Sequence, residues 1–270
     1  MPESDRRPLS ALTIAGSDSG GGAGIQADLK TFAAHGVHGL SAIAALTAQH
    51  TRGVTSVHVP PAGFLRAQIA ACFDDFRIGA VKLGMLANAE VIGAVADALA
   101  HYRPAQIVLD PVMVATSGAR LLQPDALEAL RNHLLPLASL VTPNIPEAEL
   151  LLGHPIEDDA AADAALTELL ASGARAVLLK GGHLKGAGAM IDRFHDGRSR
   201  AAFAHERLAV EGHGTGCTLA AAIAAHLSLG MALPDACKAA TDYVHGALRH
   251  AARPGLGEVA VLDHFWMRKP

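Results

Sequence analysis

A glycine-rich stretch carries the residue types in this chain that are best suited to chemistry. Gly214-Thr-Gly-Cys217 comes directly before a long alanine-rich helical pattern. A glycine turn that opens a helix leaves backbone N–H groups free at the positive end of the helix dipole, where anions, most often phosphates, bind. We expect a thiol at that end, here Cys217, to have its pKa lowered from about 8.5. A tight turn before a core helix is the alternative, because short glycine motifs often match by chance.

Phosphoryl transfer to an alcohol needs a cation near the phosphates, a magnesium ion and a group that takes the alcohol's proton. The sequence has no G-K-[ST] phosphate loop, so these parts must come from separate loops. Lys180 ends an apolar strand pattern and is a candidate cation, although a lysine there can also snorkel to solvent. Glu147 is a candidate magnesium ligand, but with Asn144 it also forms a capping-box pattern. Asp110 precedes a proline and is equally suited to a turn.

These candidates lie just after apolar runs that alternate with helical patterns. Buried parallel strands are predicted at 12–15, 39–47, 78–83, 107–109, 140–142 and 176–179, with an edge strand at 54–59. A hairpin is predicted from 190–194 and 200–205, joined at Asp196-Gly197. Helices are predicted after Gly24, Pro61, Asn88, Pro124, Asp158, Cys217 and Pro234. In open α/β sheets ligands bind at the carboxyl edge of the strands, so the candidates are expected to meet there.

Composition limits the class of protein. Half of the 270 residues are apolar and only 4% are aromatic, which is typical of helices packed on a buried parallel sheet. No internal repeat or linker is visible, so we expect one domain over 1–270, with 1–10 as a flexible tail. The net charge is −4 without a long basic run, which argues against a nucleic-acid surface.

The remaining composition signals concern location and metals. The three cysteines are far apart and form no C-x-x-C motif, so we expect a reducing compartment without disulfides or a zinc site. The stretch 212–234 has no Asp, Glu, Lys or Arg, but His213, His226 and Gly230 interrupt it. A buried core helix is therefore predicted instead of a membrane span, and the protein is expected to be soluble and cytoplasmic.

The first glycine loop invites a dinucleotide interpretation. Gly22-Ala-Gly24 fits the start of G-x-G-x-x-A, but that fingerprint needs an acid about 20 residues later. No Asp or Glu occurs from Leu29 to Phe73, which argues against a nicotinamide cofactor. Asp28 lies at the edge of the helical apolar stripe, and periodicity leaves open whether it is a half-exposed charge or a group facing a cleft.

Taken together, the motifs resemble the hydroxymethylpyrimidine/phosphomethylpyrimidine kinase family of thiamine biosynthesis, in the ribokinase-like superfamily. The segments that carry the resemblance are 15–18, 21–30, 82–86, 110–113, 142–147, 180–183 and 213–217. The resemblance implies a ribokinase-like three-layer αβα sandwich with a mostly parallel central sheet. It also implies phosphorylation by ATP and Mg²⁺ of 4-amino-5-hydroxymethyl-2-methylpyrimidine and then of its monophosphate. A homodimer is compatible with it.

The resemblance also implies roles for individual residues. Gly214, Thr215, Gly216 and Cys217 would form the anion hole, with Cys217 activating the hydroxyl. Lys180 and Thr215 would contact ATP, and Glu147 with Asp110 would hold magnesium, mostly through water. The residues implied to contact the pyrimidine are Gly16, Asp28, Gln49, Met85 and Val112.

One departure from the family pattern and two rival functions stand beside this interpretation. The first loop reads Asp18-Ser-Gly-Gly-Gly22 where the family usually has Asp-Pro-Ser-Gly-Gly, which predicts a more flexible loop. Pyridoxal kinases share the fold, and some share the Gly-Thr-Gly-Cys turn. A non-catalytic vitamin-binding regulator is the other rival, and the set of Lys180, Glu147 and Cys217 argues against it.

Overall fold

The computed structural model describes residues 7–113, 123, 125–184 and 188–268. Its strands are β1 (Ser10–Asp18), β2 (His38–His50), β3 (Gly53–His58), β4 (Ile78–Leu83), β5 (Ile107–Leu109), β6 (Leu140–Val141), β7 (Val177–Leu179), β8 (Met190–His195), β9 (Arg200–His205), β10 (Gly212–His213) and β11 (Ala260–Val261). Its α-helices are α1 (Gly24–Ala34), α2 (Ala62–Asp75), α3 (Ala89–Tyr102), α4 (Ala126–Ala129), α5 (Ile145–Leu152), α6 (Asp159–Ala171), α7 (Thr215–Ser228) and α8 (Leu233–Arg249).

Nine strands form one sheet in the order β3-β2-β1-β4-β5-β6-β7-β8-β9. The six strands from β2 to β7 in that order run parallel. Antiparallel strands close both edges, β3 on one side and the β8–β9 hairpin on the other. The prediction of a mostly parallel sheet is confirmed, as are the edge strand and the hairpin.

Helices cover both faces of this sheet. Phe32 of α1, Ile223 of α7 and Tyr243 of α8 belong to the core on one face. Ile69 of α2 and Ile92 of α3 belong to the core on the other, together with side chains of α4, α5 and α6. This is the expected three-layer αβα arrangement, in which each helix buries one apolar stripe against the sheet.

Helix α7 is almost entirely buried along its length, which confirms the prediction of a core helix within 212–234. In the described part of the chain, no helix is both long enough and apolar enough to cross a bilayer.

The predicted element boundaries hold to within a few residues. Asn88 caps α3 by accepting the N–H of Val91 at 2.9 Å, as expected for a helix N-cap. The helix expected from Pro124 begins at Ala126 and continues as a π-turn over Leu130–Leu134, while Pro124 itself lies outside the described residues. Of the expected tail, residues 1–6 lie outside them, and β1 begins at Ser10.

The strand order identifies where a ligand crevice should lie. The chain leaves β1 toward β2 and β3 and then returns to the other side of β1 to form β4. At such a switch point the loops after the two strands diverge and leave a crevice at their carboxyl ends. Here that crevice lies beyond Asp18 of β1 and Leu83 of β4.

Candidate active site

A cavity of about 580 Å³ opens at this carboxyl edge. It collects side chains and backbone from the loops after several parallel strands and from the turn before α7. The expected site residues that line it are Gly16, Gln49, Met85, Asp110, Val112, Glu147, Lys180, Gly214, Thr215, Gly216 and Cys217. Residues that are spread over 200 positions of sequence therefore share one cavity, and only Asp28 of the expected set is missing from its lining.

The turn before α7 has the geometry expected of an anion site. Gly214 is the N-cap of α7 with φ +83°, a left-handed conformation that favours glycine. A Cβ there would lie 2.0 Å from the carbonyl oxygen of Gly22, so a side chain has no room. The first-turn amides of Thr215, Gly216 and Cys217 have no partners within the helix and face the cavity from the positive end of its dipole.

The thiol of Cys217 does not have the lowered pKa that the sequence predicted. Enclosure in the protein raises its pKa to about 11, against the opposing influence of Lys82. The helix dipole is therefore outweighed by the loss of hydration. At neutral pH the thiol is therefore protonated, although the backbone N–H of Gly24 also acts to lower its pKa.

Lys180 lies beside two carboxylates instead of reaching out to solvent. Its Nζ is 2.8 Å from Oδ1 of Asp110 and 3.6 Å from Oε2 of Glu147. Burial acts to lower the pKa of Lys180, but the two carboxylates outweigh it and the pKa is raised. Lys180 is thus a fixed cation, and the snorkelling alternative does not apply.

This ion pair stands directly against the anion-binding turn. A Cβ added to Gly216 would lie 3.0 Å from Nζ of Lys180 and 3.4 Å from Oδ2 of Asp110. The absence of a side chain at Gly216 therefore lets the ammonium approach the first-turn amides. A phosphoryl group bound there would meet backbone N–H donors and a lysine cation together.

Glu147 both caps helix α5 and lines the cavity. Its Oε2 accepts the N–H of Asn144 at 2.8 Å, and Asn144 accepts the N–H of Glu147 at 2.9 Å, so the capping box is formed. The same carboxylate lines the cavity, and burial raises its pKa despite Lys180. The cap fixes the side chain in place.

The donor set near Asp110 and Glu147 suits magnesium. No group of three or more metal-ligating side chains occurs among the residues that the structure describes. Mg²⁺ is commonly held by one or two carboxylates, with phosphate oxygens and waters completing its octahedron. Asp110 and Glu147 supply the two carboxylates of such a site, with phosphate and water as the remaining ligands. Two carboxylates are too few for a metal site made of protein ligands alone.

The cavity wall also includes the amide of Gln49 and the apolar side chains of Met85 and Val112. Gln49 lies 3.1 Å from Nε2 of His213 and accepts a hydrogen bond from Thr47 at 3.1 Å. Met85 is buried, and Val112 packs against the same small cluster. Gly16 lies under Met85, since a Cβ there would be 2.8 Å from its sulfur.

Asp28 does not contact this cavity, which corrects the sequence-based expectation. It is fully buried, with Nζ of Lys82 and the hydroxyl of Thr13 donating to its Oδ2 at 2.8 and 2.6 Å. Neither half-exposed nor facing the cleft, Asp28 is the anionic half of a buried ion pair. The reason is the sheet order, which brings β4 beside β1 and places Lys82 opposite α1.

Two site residues carried no role in the sequence analysis, Asp18 and His213. The Asp18 carboxylate accepts the N–H groups of Gly20, Gly22 and Ala23 at 2.8–3.0 Å and lies 3.0 Å from Nε2 of His213. In the sequence, Asp18 begins the first glycine segment and His213 immediately precedes Gly214. These positions were the signal from which both residues could have been identified.

The first glycine loop, which was expected to be flexible, is also held by Ser19, whose hydroxyl donates to the carbonyl of Gln49 at 2.8 Å.

Comparisons with known proteins identify the family of the chain. The family model described as phosphomethylpyrimidine kinase matches residues 18–262. The chain is 52% identical to the hydroxymethylpyrimidine/phosphomethylpyrimidine kinase of Rhizobium meliloti over 250 residues, which cover 92% of this chain and 93% of the relative.

Solved structures of two kinds of kinase share the fold. The phosphomethylpyrimidine kinase of Clostridium difficile is 42% identical with a TM-score of 0.79, covering 87% of this chain and 97% of that chain. The pyridoxal kinase of Staphylococcus aureus, in complex with AMP-PCP and pyridoxal, is 30% identical with a TM-score of 0.88, covering 97% and 95%. The backbone is thus common to kinases with either substrate, while sequence identity is higher to the pyrimidine kinases.

Proposed function

The chain belongs to the phosphomethylpyrimidine kinase family, and we propose that it phosphorylates 4-amino-5-hydroxymethyl-2-methylpyrimidine and then the resulting monophosphate, using ATP, for thiamine diphosphate biosynthesis. The observation that carries the proposal is the meeting of the α7 turn, Cys217 and the Lys180–Asp110 pair in one cavity. Gln49, Met85 and Val112 line the same cavity and are suited to a small amino-substituted ring.

The first transfer places the substrate hydroxyl at Cys217 and the γ-phosphate at the α7 turn. The hydroxyl oxygen forms a bond to the γ-phosphorus, and the bond from that phosphorus to the bridging oxygen of ADP breaks. The proton of the hydroxyl passes to the sulfur of Cys217 when the sulfur is present as thiolate. The amides of Gly214–Cys217 and the ammonium of Lys180 offset the charge on the transferred group.

The second transfer makes a weaker demand on a base. A phosphate monoester has its second pKa near 6, so at neutral pH the monophosphate already offers an ionised oxygen as nucleophile. The anion-binding turn and Lys180 serve both transfers, whereas proton removal by Cys217 concerns the first. Both reactions therefore need the groups that position the phosphate, and only the first reaction needs a group that removes a proton.

We further propose that Asp110 and Glu147 hold Mg²⁺, largely through water, where the ion would offset phosphate charge. Both carboxylates line the cavity beside Lys180. Thr215, in the first turn of α7, is proposed as an additional ATP contact.

We also propose one kinase domain over 1–270, assembled as a homodimer in the cytoplasm. Support for one domain is that a single nine-stranded sheet runs through the described residues. A single cooperative thermal transition and the mass from light scattering test the domain and the dimer, and cell fractionation tests the location.

The deciding experiment is ADP release with MgATP, with hydroxymethylpyrimidine, its monophosphate and pyridoxal offered in parallel. Turnover of both pyrimidines supports the proposal. Turnover of pyridoxal alone would overturn it in favour of the function of the Staphylococcus aureus neighbour, whose TM-score of 0.88 makes it the second candidate. A folded protein that turns over none of the three would favour a vitamin-binding regulator.

A further inference from the structure

Gln49 lies at the point where strand β2 extends beyond its neighbour β1. Among the described residues, the pairing of β2 with β1 ends at Thr47, which is opposite Asp18, the last residue of β1. The pairing of β2 with β3 on the other side is irregular between Ala48 and Gln49. Bulges of this kind interrupt the ladder and reorient a side chain, and they are frequent beside active sites. The backbone N–H and C=O of Gln49 on the β1 side therefore need partners other than a strand.

Ser19, the first residue after β1, supplies both partners with one hydroxyl group. Its Oγ accepts the backbone N–H of Gln49 at 2.8 Å and donates to the backbone carbonyl of Gln49 at 2.8 Å. A hydroxyl can do both, because it has one proton and two lone pairs. Proline, which the family pattern has at this position, has no hydroxyl group, so this contact depends on the serine of this chain.

The rest of the first glycine loop also lies close to β2. A Cβ on Gly20 would lie 3.2 Å from the carbonyl oxygen of Gln49 and 3.3 Å from Cα of His50, which is closer than side chains usually approach. The Oδ1 atom of Asp18 accepts the N–H of Gly20 at 2.8 Å and so holds this turn in place. The serine hydroxyl is thus presented to Gln49 by a loop that is itself fixed.

The side chain of Gln49 is held separately from its backbone. Its amide lies 3.1 Å from Nε2 of His213, and the same nitrogen lies 3.0 Å from Oδ2 of Asp18. Gln49 and His213 line the cavity, whereas Ser19 is not among the described residues that line it. An effect of Ser19 on a bound ring therefore passes through a neighbour, and Gln49 is the cavity residue that its hydroxyl holds.

We propose that Ser19 is a positioning residue for the substrate ring, which fixes the backbone of Gln49 and thereby sets the direction of the Gln49 amide in the cavity. This rests on the proposed function, in which Gln49 is the polar contact to the pyrimidine. The two hydrogen bonds lie at an exposed edge, where water can replace them at little cost in stability. Their effect is therefore expected in ring binding more than in the stability of the fold.

The first test measures the exchange of backbone amide hydrogens by NMR in the full chain without substrate. Ser19→Ala should accelerate exchange of the Gln49 N–H roughly threefold to tenfold, the scale of one net hydrogen bond. Ser19→Thr keeps a hydroxyl and should preserve the original rate. The internal control is the N–H of Ile43, also on β2, which donates to a side-chain atom, Oε1 of Gln68, at 3.0 Å and should be unchanged.

The second test is a double-mutant cycle on initial rates with hydroxymethylpyrimidine and MgATP. Ser19→Ala should raise the KM for the pyrimidine roughly threefold to tenfold, with kcat and the KM for ATP within about twofold. In the Gln49→Ala background the same change should shift the pyrimidine KM by less than about twofold, because the amide that Ser19 positions is gone. Ser56→Ala removes an exposed serine of β3 and is the matched control, which should leave all three constants unchanged.

A merely structural role for Ser19 predicts different results. Accelerated exchange of Gln49 and Ile43 together, or no change at Gln49, would overturn the proposal. An unchanged pyrimidine KM in Ser19→Ala, or an equal increase with and without the Gln49 amide, would also overturn it. The exchange measurement needs no substrate, so the expected exchange pattern in a chain that turns over neither pyrimidine would reject the proposed function alone. The cycle would then be run with the acceptor that is turned over.

Discussion

The Oδ2 atom of Asp18 lies 3.0 Å from the Nε2 atom of His213, which joins the loop after β1 to the residue that precedes the anion-binding turn. The same carboxylate oxygen also accepts two backbone N–H groups of the first glycine loop. One buried acceptor thus holds the first glycine loop against the residue that precedes the anion-binding turn. The two glycine segments are in direct contact there, since a Cβ on Gly214 would lie 2.0 Å from the carbonyl oxygen of Gly22.

Asp18→Asn should therefore destabilise the protein in a pH-dependent way. Burial acts to raise the pKa of Asp18, but His213 and the loop amides outweigh it, so the pKa lies below 3.8. A lowered folded-state pKa stabilises the fold above the unfolded value, and this stabilisation is lost as the pH falls through the folded value. We expect a loss of about 1–3 kcal/mol at pH 7 and a shallower decline of stability below pH 3.8.

Urea unfolding of Asp18→Asn from pH 7 to pH 3 measures this effect. Asp97→Asn is the matched control, because Asp97 is an exposed α3 carboxylate that pairs with Arg66 at 2.8 Å. Equal pH dependence in the two variants would show that Asp18 is not a stabilising ionised acceptor.

Cys217→Ala should reduce kcat for hydroxymethylpyrimidine by roughly 10²-fold, the scale of losing one transition-state proton acceptor. The loss for the monophosphate should be smaller, because that nucleophile is already ionised. Steady-state ADP release with each acceptor measures both, and ATP affinity by calorimetry should stay largely unchanged. Equal losses with the two acceptors would assign Cys217 to phosphate positioning, and near-normal turnover would remove it from the mechanism.

Gln49→Ala should raise the KM for the pyrimidine more than the KM for ATP. The Gln49 amide contacts Thr47 and His213 in the cavity wall and is our proposed polar contact to the ring, so its loss should affect ring binding. Initial rates with each substrate varied in turn give the two constants. A parallel rise in both would place Gln49 outside the pyrimidine pocket.

Lys180→Met should weaken the nucleotide side of the reaction, because it removes the cation beside Gly216 and leaves Asp110 without its 2.8 Å partner. We expect the KM for ATP to rise and kcat to fall, with the pyrimidine KM less affected. Lys238→Met removes an exposed lysine paired with Asp242 on α8 and should be neutral. An unchanged response to ATP concentration in Lys180→Met would contradict its role.

Glu147→Gln and Asn144→Ala should separate the cap of α5 from the metal site. Glutamine can still accept the N–H of Asn144, so Glu147→Gln should keep stability but require more Mg²⁺ for half-maximal activity. Asn144→Ala removes the other half of the cap and should cost about 1 kcal/mol of stability. Thermal unfolding and magnesium titration of activity measure the two effects, and an unaltered magnesium response in Glu147→Gln would remove that carboxylate from the metal site.

Much of the fold follows from local sequence. Strand β1, helix α1 and the turn at Gly214 were predicted from an apolar run, a helical period and a glycine motif that precedes a helical pattern. The capping box of Asn144 and Glu147 was also readable, because its partners are three residues apart. Such features depend on a few neighbouring residues, and their physics is therefore contained in short stretches of the chain.

The tertiary structure alone decided the charge states and the distant pairs. Asp28 meets Lys82 across 54 positions only because β4 returns beside β1, and this pairing removed Asp28 from the expected pyrimidine contacts. The pKa of Cys217 was predicted to fall from its place at a helix N-terminus, but enclosure raised it. Burial and long-range electrostatics depend on which elements the sheet order brings together, so no local pattern in the sequence could determine them.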